Sequence, residues 1–427
     1  MKKIQITYNS TMKKLKTIGL ISLALILWTA FIALGFVDGY LLKSIDSSGT
    51  TKGFAEAVSN QIEDEYIGNL AMALVKDGKV SETLFHSDSG EDINGQSAFP
   101  VASVSKWVTA VGVMKLVEDQ KLDLDAPVEN YLTRWNLPAS EFDNDQVTVR
   151  RLLSHSAGFD DDLGYGGFTA DEEVQSLEES LTSAADAYYD GAKARVGYEP
   201  GSQFMYSGAS YTLLQLLIEE VTGASFSDYI SQAVFNPLGM NNSSFNLRDS
   251  SSINLVNVYK TNGSTRPMNR FTAKAAASLM TSLDDLSKFM LSNSLDNHSL
   301  LKSSTIQLMA KAESYRNGIP YYGLGPDLYS PQHETANIIG HDGSGNDAIN
   351  ATARFDLASQ DGIIILSTGH YSFASDTADE WLFWKAGIAD RVVMQRNIPY
   401  LVTLLVVGYV LIVILSWLIL KRRRANT

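Results

Sequence analysis

Ser103 and Lys106 are the residues whose types and spacing most directly suggest chemistry. A Ser and a Lys three positions apart share one face of a helix. The amine there can take the hydroxyl proton if burial or neighbouring groups favour its neutral form. The start of a helix adds a positive electrostatic end and a backbone N–H that can hold a developing oxyanion. The chemistry so assembled is nucleophilic acyl transfer. The spacing alone is a weak signal, because Ser10–Lys13 and Ser299–Lys302 repeat it. Ser103 differs from both in context. It follows an apolar, strand-like stretch, Ala98–Ala102, and opens a helical pattern over 104–120. The chain has no Cys, so it has no thiol nucleophile, disulfide framework or Cys-bound metal.

The elements that must position these residues can be read from periodicity. Helical spacing covers 54–66, 104–120, 210–222, 227–234, 282–293 and 375–388. Residues 71–85 read as a hairpin with its turn at Asp77-Gly78, and 351–355 and 362–367 as strands. Strands lie at both ends and helices between them. This predicts an α/β fold: a mainly antiparallel sheet flanked by helices, built from both ends of the domain, with a mostly helical subdomain inserted at roughly 121–280. Residues 159–200 are acidic and rich in Gly, Ala and Tyr, and read as either a solvated excursion or a lid or specificity loop.

Two uncharged runs of 21 residues, 17–37 and 400–420, are long enough to cross a bilayer as helices. Lys13, Lys14 and Lys16 precede the first, and Lys421 to Arg424 follow the second. The positive-inside rule then puts both termini, 1–16 and 421–427, in the cytoplasm and the intervening residues outside. A cleaved signal peptide, cut near Ala33-Leu34-Gly35, is the competing reading of the first run, and its length favours an anchor. Trp28 lies too deep in its run to be an interfacial anchor. The layout expected is a linker over 38–53, a catalytic domain over 54–390, and a second linker over 391–399. Residues 38–398 carry 48 acids against 25 bases, which argues against nucleic-acid binding.

The surroundings of Ser103 resemble the serine β-lactamase and penicillin-binding-protein superfamily, in its class C β-lactamase-like branch. The resemblance is carried, in order, by Lys76–Lys79, Leu116–Val128, Leu152–Phe159, Pro200–Ser207, Phe235–Met240 and Tyr322–Gly325, and spans roughly 54–390. It implies that Tyr206 shares a proton with Ser103 and Lys106 and protonates the leaving group. It puts Gly208 where the family has an Asn that grips the Lys and a substrate amide. The third family motif falls on His341-Asp-Gly343, followed by Ser344 and Asn346. His341 is expected to orient a substrate carboxylate or assist proton transfer. Gly343 is expected to let the strand approach the ligand closely. The Ser344 N–H would complete an oxyanion hole with that of Ser103, and Asn346 would contact substrate. A literal Tyr-x-Asn at Tyr315–Asn317 lacks this context. His155 reads as a structural residue bonding loop backbone.

The function so implied is a membrane-anchored extracytoplasmic serine hydrolase, bound to the lipid bilayer. It would act through an acyl-enzyme on cell-envelope D-alanyl esters or peptides, derived from peptidoglycan or teichoic acid. Two alternatives remain: a catalytically weak penicillin-binding-like sensor or scaffold, and a β-lactamase. No cofactor is expected. His86, His298, His333 and His370 show no ligand spacing, and Asp160 to Asp162 read as solvated, so no metal site is expected. The sequence assigns no oligomeric state.

Overall fold

The computed structural model describes residues 2–160, 165–189, 191–247, 253–329, 337–345 and 348–425. The chain divides into two compact units, 48–378 and 1–47 with 379–427.

The larger unit is built on an eight-stranded antiparallel sheet in the order β2-β1-β12-β11-β10-β9-β8-β7. β1 (Asn69–Lys76) and β2 (Lys79–Ser87) come from its start. β7 (Ser314–Arg316), β8 (Ile319–Tyr322), β9 (Asp327–Leu328), β10 (Ile338–Gly345), β11 (Ile349–Asp356) and β12 (Asp361–Thr368) come from its end. The two ends meet where β1 pairs with β12, from Leu70 opposite Ser367 to Val75 opposite Gly362. The sheet is thus closed by both ends of the unit, as the sequence pattern predicts. β1 and β12 are buried almost throughout, so each is a continuous apolar run rather than an alternating one. Asp77 and Gly78 both have positive φ (49° and 74°), the geometry of a two-residue hairpin turn.

Two short pairs complete the strands. β3 (Ala98–Pro100) pairs with β6 (Met280–Ser282), and β4 (Val258–Tyr259) with β5 (Thr265–Arg266). Helix Leu283–Ser292 lies against β1, β11 and β12, and helix Thr51–Glu65 against β1 and β2. Helix Val104–Glu118 is apolar on every side and buried along most of its length, as a helix crossing a core must be. Its Trp107 packs edge-on to Phe289, with ring centres 5.2 Å apart. Burying a side chain of this kind contributes about 1.5–3 kcal/mol.

The smaller unit reverses the burial pattern. Helices Lys2–Val37 and Arg391–Ala425 carry large apolar side chains in the open, among them Ile18 (61% exposed) and Leu415 (57%). They pair through Trp28, whose indole donates to the Leu405 carbonyl at 3.3 Å, and through Thr29 and Tyr409, 2.5 Å apart. A Cβ on Gly408 would collide with the Trp28 ring, so the glycine makes the notch that the indole fills. Residues 391–399, expected as a linker, are instead helical and continuous with the apolar run, with Pro399 inside the helix. Side-chain bonds explain why that segment holds: Arg396 pairs with Glu380 at 2.5 Å, and Asn397 accepts from the Lys43 N–H at 2.8 Å.

Candidate active site

Ser103 sits on a tight turn between β3 and helix Val104–Glu118. Ala102 has φ +44°, a conformation that costs a non-glycine residue about 1–2 kcal/mol. Ser105 holds the turn: its hydroxyl donates to the Ala102 carbonyl at 2.5 Å and accepts from the Leu279 N–H at 2.9 Å. Ser103 is the N-cap residue, yet its hydroxyl makes no capping bond. It accepts instead from Lys106 Nζ at 3.2 Å. Lys106 is 3% exposed and also donates to the Ala276 carbonyl at 2.8 Å. Its ammonium lies over the rings of Tyr206 and Tyr211, 4.7 and 5.6 Å from their centres. The other two Ser-x-x-Lys matches lack this setting. Ser10 lies inside a long helix, and Ser299 lies in the turn ahead of helix Ser303–Met309.

Tyr206 immediately precedes helix Gly208–Thr222, which Ser207 caps by accepting from the Ser210 N–H at 3.0 Å. Its ring lines the same cleft as Ser103 and faces the Lys106 ammonium. Protein packed around the phenol pushes its pKa well above the usual value, while the nearby Ser103 side chain opposes the rise. The ring is also 36% exposed on its cleft side, so water there tempers the shift. His155 fixes Tyr206 from behind. Its Nδ1 accepts from the Ser207 N–H at 3.0 Å, its carbonyl accepts from the Met205 N–H at 2.8 Å, and its ring centre is 4.4 Å from that of Tyr206. Burial first, then the charges of Lys106 and His341, hold the His155 pKa well below its ordinary value. The imidazole is therefore neutral, with its proton on Nε2, which has no partner among the described residues.

His341 lies on β10, 2% exposed, with both nitrogens engaged inside the protein. Nδ1 donates to the Asp342 carbonyl at 2.6 Å, and Nε2 accepts from the Tyr322 hydroxyl at 2.9 Å. Burial, then the Lys106 charge, lowers its pKa to about 4. The ring does not line the cleft, although its centre is 6.4 Å from that of Tyr206. Asp327 lies 3.9 Å from His341 Nδ1, and burial, with the Asp342 charge, pushes its pKa up to about 7. For Asp342, burial works in the same direction. The charge of Arg354 outweighs it, together with bonds from Thr352 (2.5 Å) and Arg354 (2.9 Å), and the carboxyl titrates below its usual value.

Gly343 does allow a close approach, but the partner is the protein itself. A Cβ there would strike the Val101 carbonyl and crowd the Ser103 N–H. β10 therefore presses directly on the turn that carries Ser103. Beyond Gly340 its outer edge has no strand partner among the described residues, since β9 pairs only with Ile339 and Gly340. Ser344 and Gly345 on that stretch line the same cleft as Ser103, Lys106, Tyr206 and Gly208. Asn346 lies outside the described residues.

The cleft holds about 550 Å³. Part of its wall comes from the 159–200 excursion, through Tyr165, Val174 and Tyr188. The excursion is strapped down. Phe168 and Arg270 exchange backbone bonds at 2.7 and 2.8 Å, Asn269 donates to the Gly166 carbonyl at 2.8 Å, and the Tyr165 and Thr212 hydroxyls are 2.9 Å apart. Sequence reasoning missed Ser105, the Ala276 carbonyl, Tyr322 and Asp327. Ser105 and Tyr322 stood inside motifs already singled out, whereas the other two carry no local signal.

The chain is similar in sequence and fold to known proteins. Protein flp of Staphylococcus aureus (strain MRSA252) is 25% identical over 281 residues, 61% of this chain and 54% of flp. The chain thus spans about half the length of the curated relatives it matches. An octameric penicillin-binding protein homologue from Pyrococcus abyssi superposes with a TM-score of 0.66 at 24% identity, covering 80% of this chain and 78% of that one. EstCE1, described as a hydrolase with promiscuous acyltransferase activity, superposes with a TM-score of 0.64 at 20% identity, covering 78% and 97%. The family model described as Beta-lactamase matches residues 54–387, nearly the whole of the larger unit, and the chain belongs to that family.

Proposed function

We propose that the chain is a membrane-anchored serine hydrolase that works outside the cell through an acyl-enzyme on Ser103. One observation carries the reading: the Ser103 hydroxyl accepts from the buried Lys106 ammonium in a cleft that Tyr206 also lines. In this reading Lys106 and Tyr206 take the hydroxyl proton as Ser103 attacks a carbonyl. The N–H groups of Ser103 and Ser344 hold the oxyanion, and Tyr206 returns the proton to the leaving group. Water then releases the acyl group. His341, with both nitrogens satisfied internally, holds Tyr322 and the β10 backbone in place rather than touching substrate. Cell-envelope D-alanyl esters or peptides are the substrates that the family resemblance implies. Gly208 favours esters, because no side chain stands there to grip an amide.

Anchoring is supported by the exposed apolar side chains of both terminal helices and by the basic residues at their ends. Live cells labelled with a fluorophosphonate and a fluorescent penicillin test the chemistry. Fluorophosphonate labelling that disappears in Ser103→Ala is expected, and labelling that persists would remove Ser103 as nucleophile. A protein labelled by neither probe would be a ligand-binding scaffold. Protease added to spheroplasts should digest the middle and spare a tag on Thr427, and loss of that tag without lysis would overturn the topology.

A further inference from the structure

We propose that the cleft selects esters with a long apolar acyl group, and that the strapped 159–200 excursion sets this preference. The inference rests on the acyl-enzyme reading above, but replaces a D-alanyl group by an apolar chain. The cleft that Ser103 lines is also lined by Tyr165 and Tyr188 of the excursion and by Phe245, Met268, Phe271 and Met280, with Arg266, Arg270 and Lys274 as its cationic members. Phe245 and Met280 are buried to within 2% exposure, so their positions are set by the core behind them. Tyr165 is 9% exposed and bonded to Thr212, so this part of the wall is also fixed. A D-alanyl group, with one methyl, would leave most of about 550 Å³ unfilled. Such a lining gains from every methylene that replaces water against it.

The bond changes are those of ordinary ester hydrolysis. Ser103 Oγ bonds the acyl carbon, the carbon–oxygen bond to the alcohol breaks, and the alcohol leaves with the serine proton. Water then cleaves the acyl-serine, giving the free acid and restoring the hydroxyl.

The test is a series of p-nitrophenyl esters, acetate to decanoate, on the full chain in detergent. Each added methylene should raise kcat/KM about fourfold up to about eight carbons. Tyr188→Ala should lower the octanoate-to-acetate ratio about tenfold; Tyr188 is 57% exposed, so its loss does not threaten folding. A flat or falling profile, with Ser103 still labelled by fluorophosphonate, overturns the apolar acyl group and leaves the acyl-enzyme intact. Preference for long-chain alkyl acetates over long acyl esters likewise overturns it, by giving the pocket to the leaving group. Absence of both turnover and labelling overturns the acyl-enzyme reading itself.

Discussion

The two sides of the cleft are held by different forces. Behind Tyr206, polar groups are buried and interlocked: His155, Tyr322 and His341 are each within 2% exposure and tied to backbone or to one another. Across the cleft the wall is mostly apolar, from Tyr165 and Phe245 to Met268 and Phe271. A hydrogen bond weakens steeply with misalignment, so the side that moves a proton needs directional bonds. Burial and dispersion are non-directional, so the side proposed to receive the substrate's body discriminates by shape and apolarity rather than by bond direction. Substitutions on the first side should therefore change rate, and those on the second should change preference.

The largest expected effect lies where the two sides meet. Ser103→Ala should reduce kcat/KM by about 10⁴-fold or more while leaving the melting temperature nearly unchanged, since the hydroxyl neither caps the helix nor packs in the core. Kinetics and a thermal melt of one preparation check both halves. Activity that survives in Ser103→Ala and vanishes in Ser299→Ala would mean that the wrong Ser-x-x-Lys was chosen.

Adding a polar grip to the open side should blur the contrast. Gly208→Asn should raise penicillin acylation by roughly tenfold to a hundredfold, as one regained hydrogen bond to a reacting group allows. Neighbouring serines do not already supply it. Ser207 spends its hydroxyl capping the helix, and the Ser210 hydroxyl is buried away from the cleft with no partner among the described residues. Stopped-flow acylation rates decide the point. A native protein that acylates rapidly, and a variant no faster, would end the argument that this glycine steers substrate class.

His155→Ala attacks the interlocked side. Losing the acceptor for the Ser207 N–H should cost about 1–3 kcal/mol of stability and lower kcat about tenfold, with KM little changed, because Tyr206 loses its backing. His155→Asn keeps an acceptor and should recover part of kcat. Equal losses in both variants would reduce His155 to a packing residue.

The smallest effect is on pH. His341 binds a proton near 6.5 when unfolded and at about 4 when folded. Its stabilisation is complete above 6.5 and lost as pH falls through about 4. Asp327, raised to about 7, runs the other way: its burial favours the folded state at low pH and disfavours it as pH rises from about 4 to 7. Its 21% exposure makes it the weaker partner. Melting temperature should drop by a few degrees between pH 6.5 and 4.5, and Asp327→Asn should steepen the drop. An unchanged slope in His341→Gln would remove the histidine from the account.

Much of this was legible in the chain. The hairpin turn at Asp77-Gly78, the buried helix after Ser103 and the apolar runs of β1 and β12 are local patterns, and local patterns survive folding. β10 was found only through the His341-Asp-Gly343 resemblance, because its glycines and polar residues hide any two-residue alternation. The reach from 391 to 399 was misread because Arg396 and Asn397 look like linker residues until Glu380 and Lys43 are placed beside them.

Sequence alone determined the Ser103–Lys106 spacing at the start of a helix, the hairpin of β1 and β2, and the two apolar helices, since each depends on spacing or composition within a short window. The tertiary structure alone decided that the His341 ring faces Tyr322 rather than the cleft, that Gly343 yields room to Val101 and Ser103 rather than to a ligand, and that the 159–200 excursion is strapped into a wall. These depend on contacts between residues far apart in the chain, and no local pattern encodes which distant carbonyl or ring will be there to meet them.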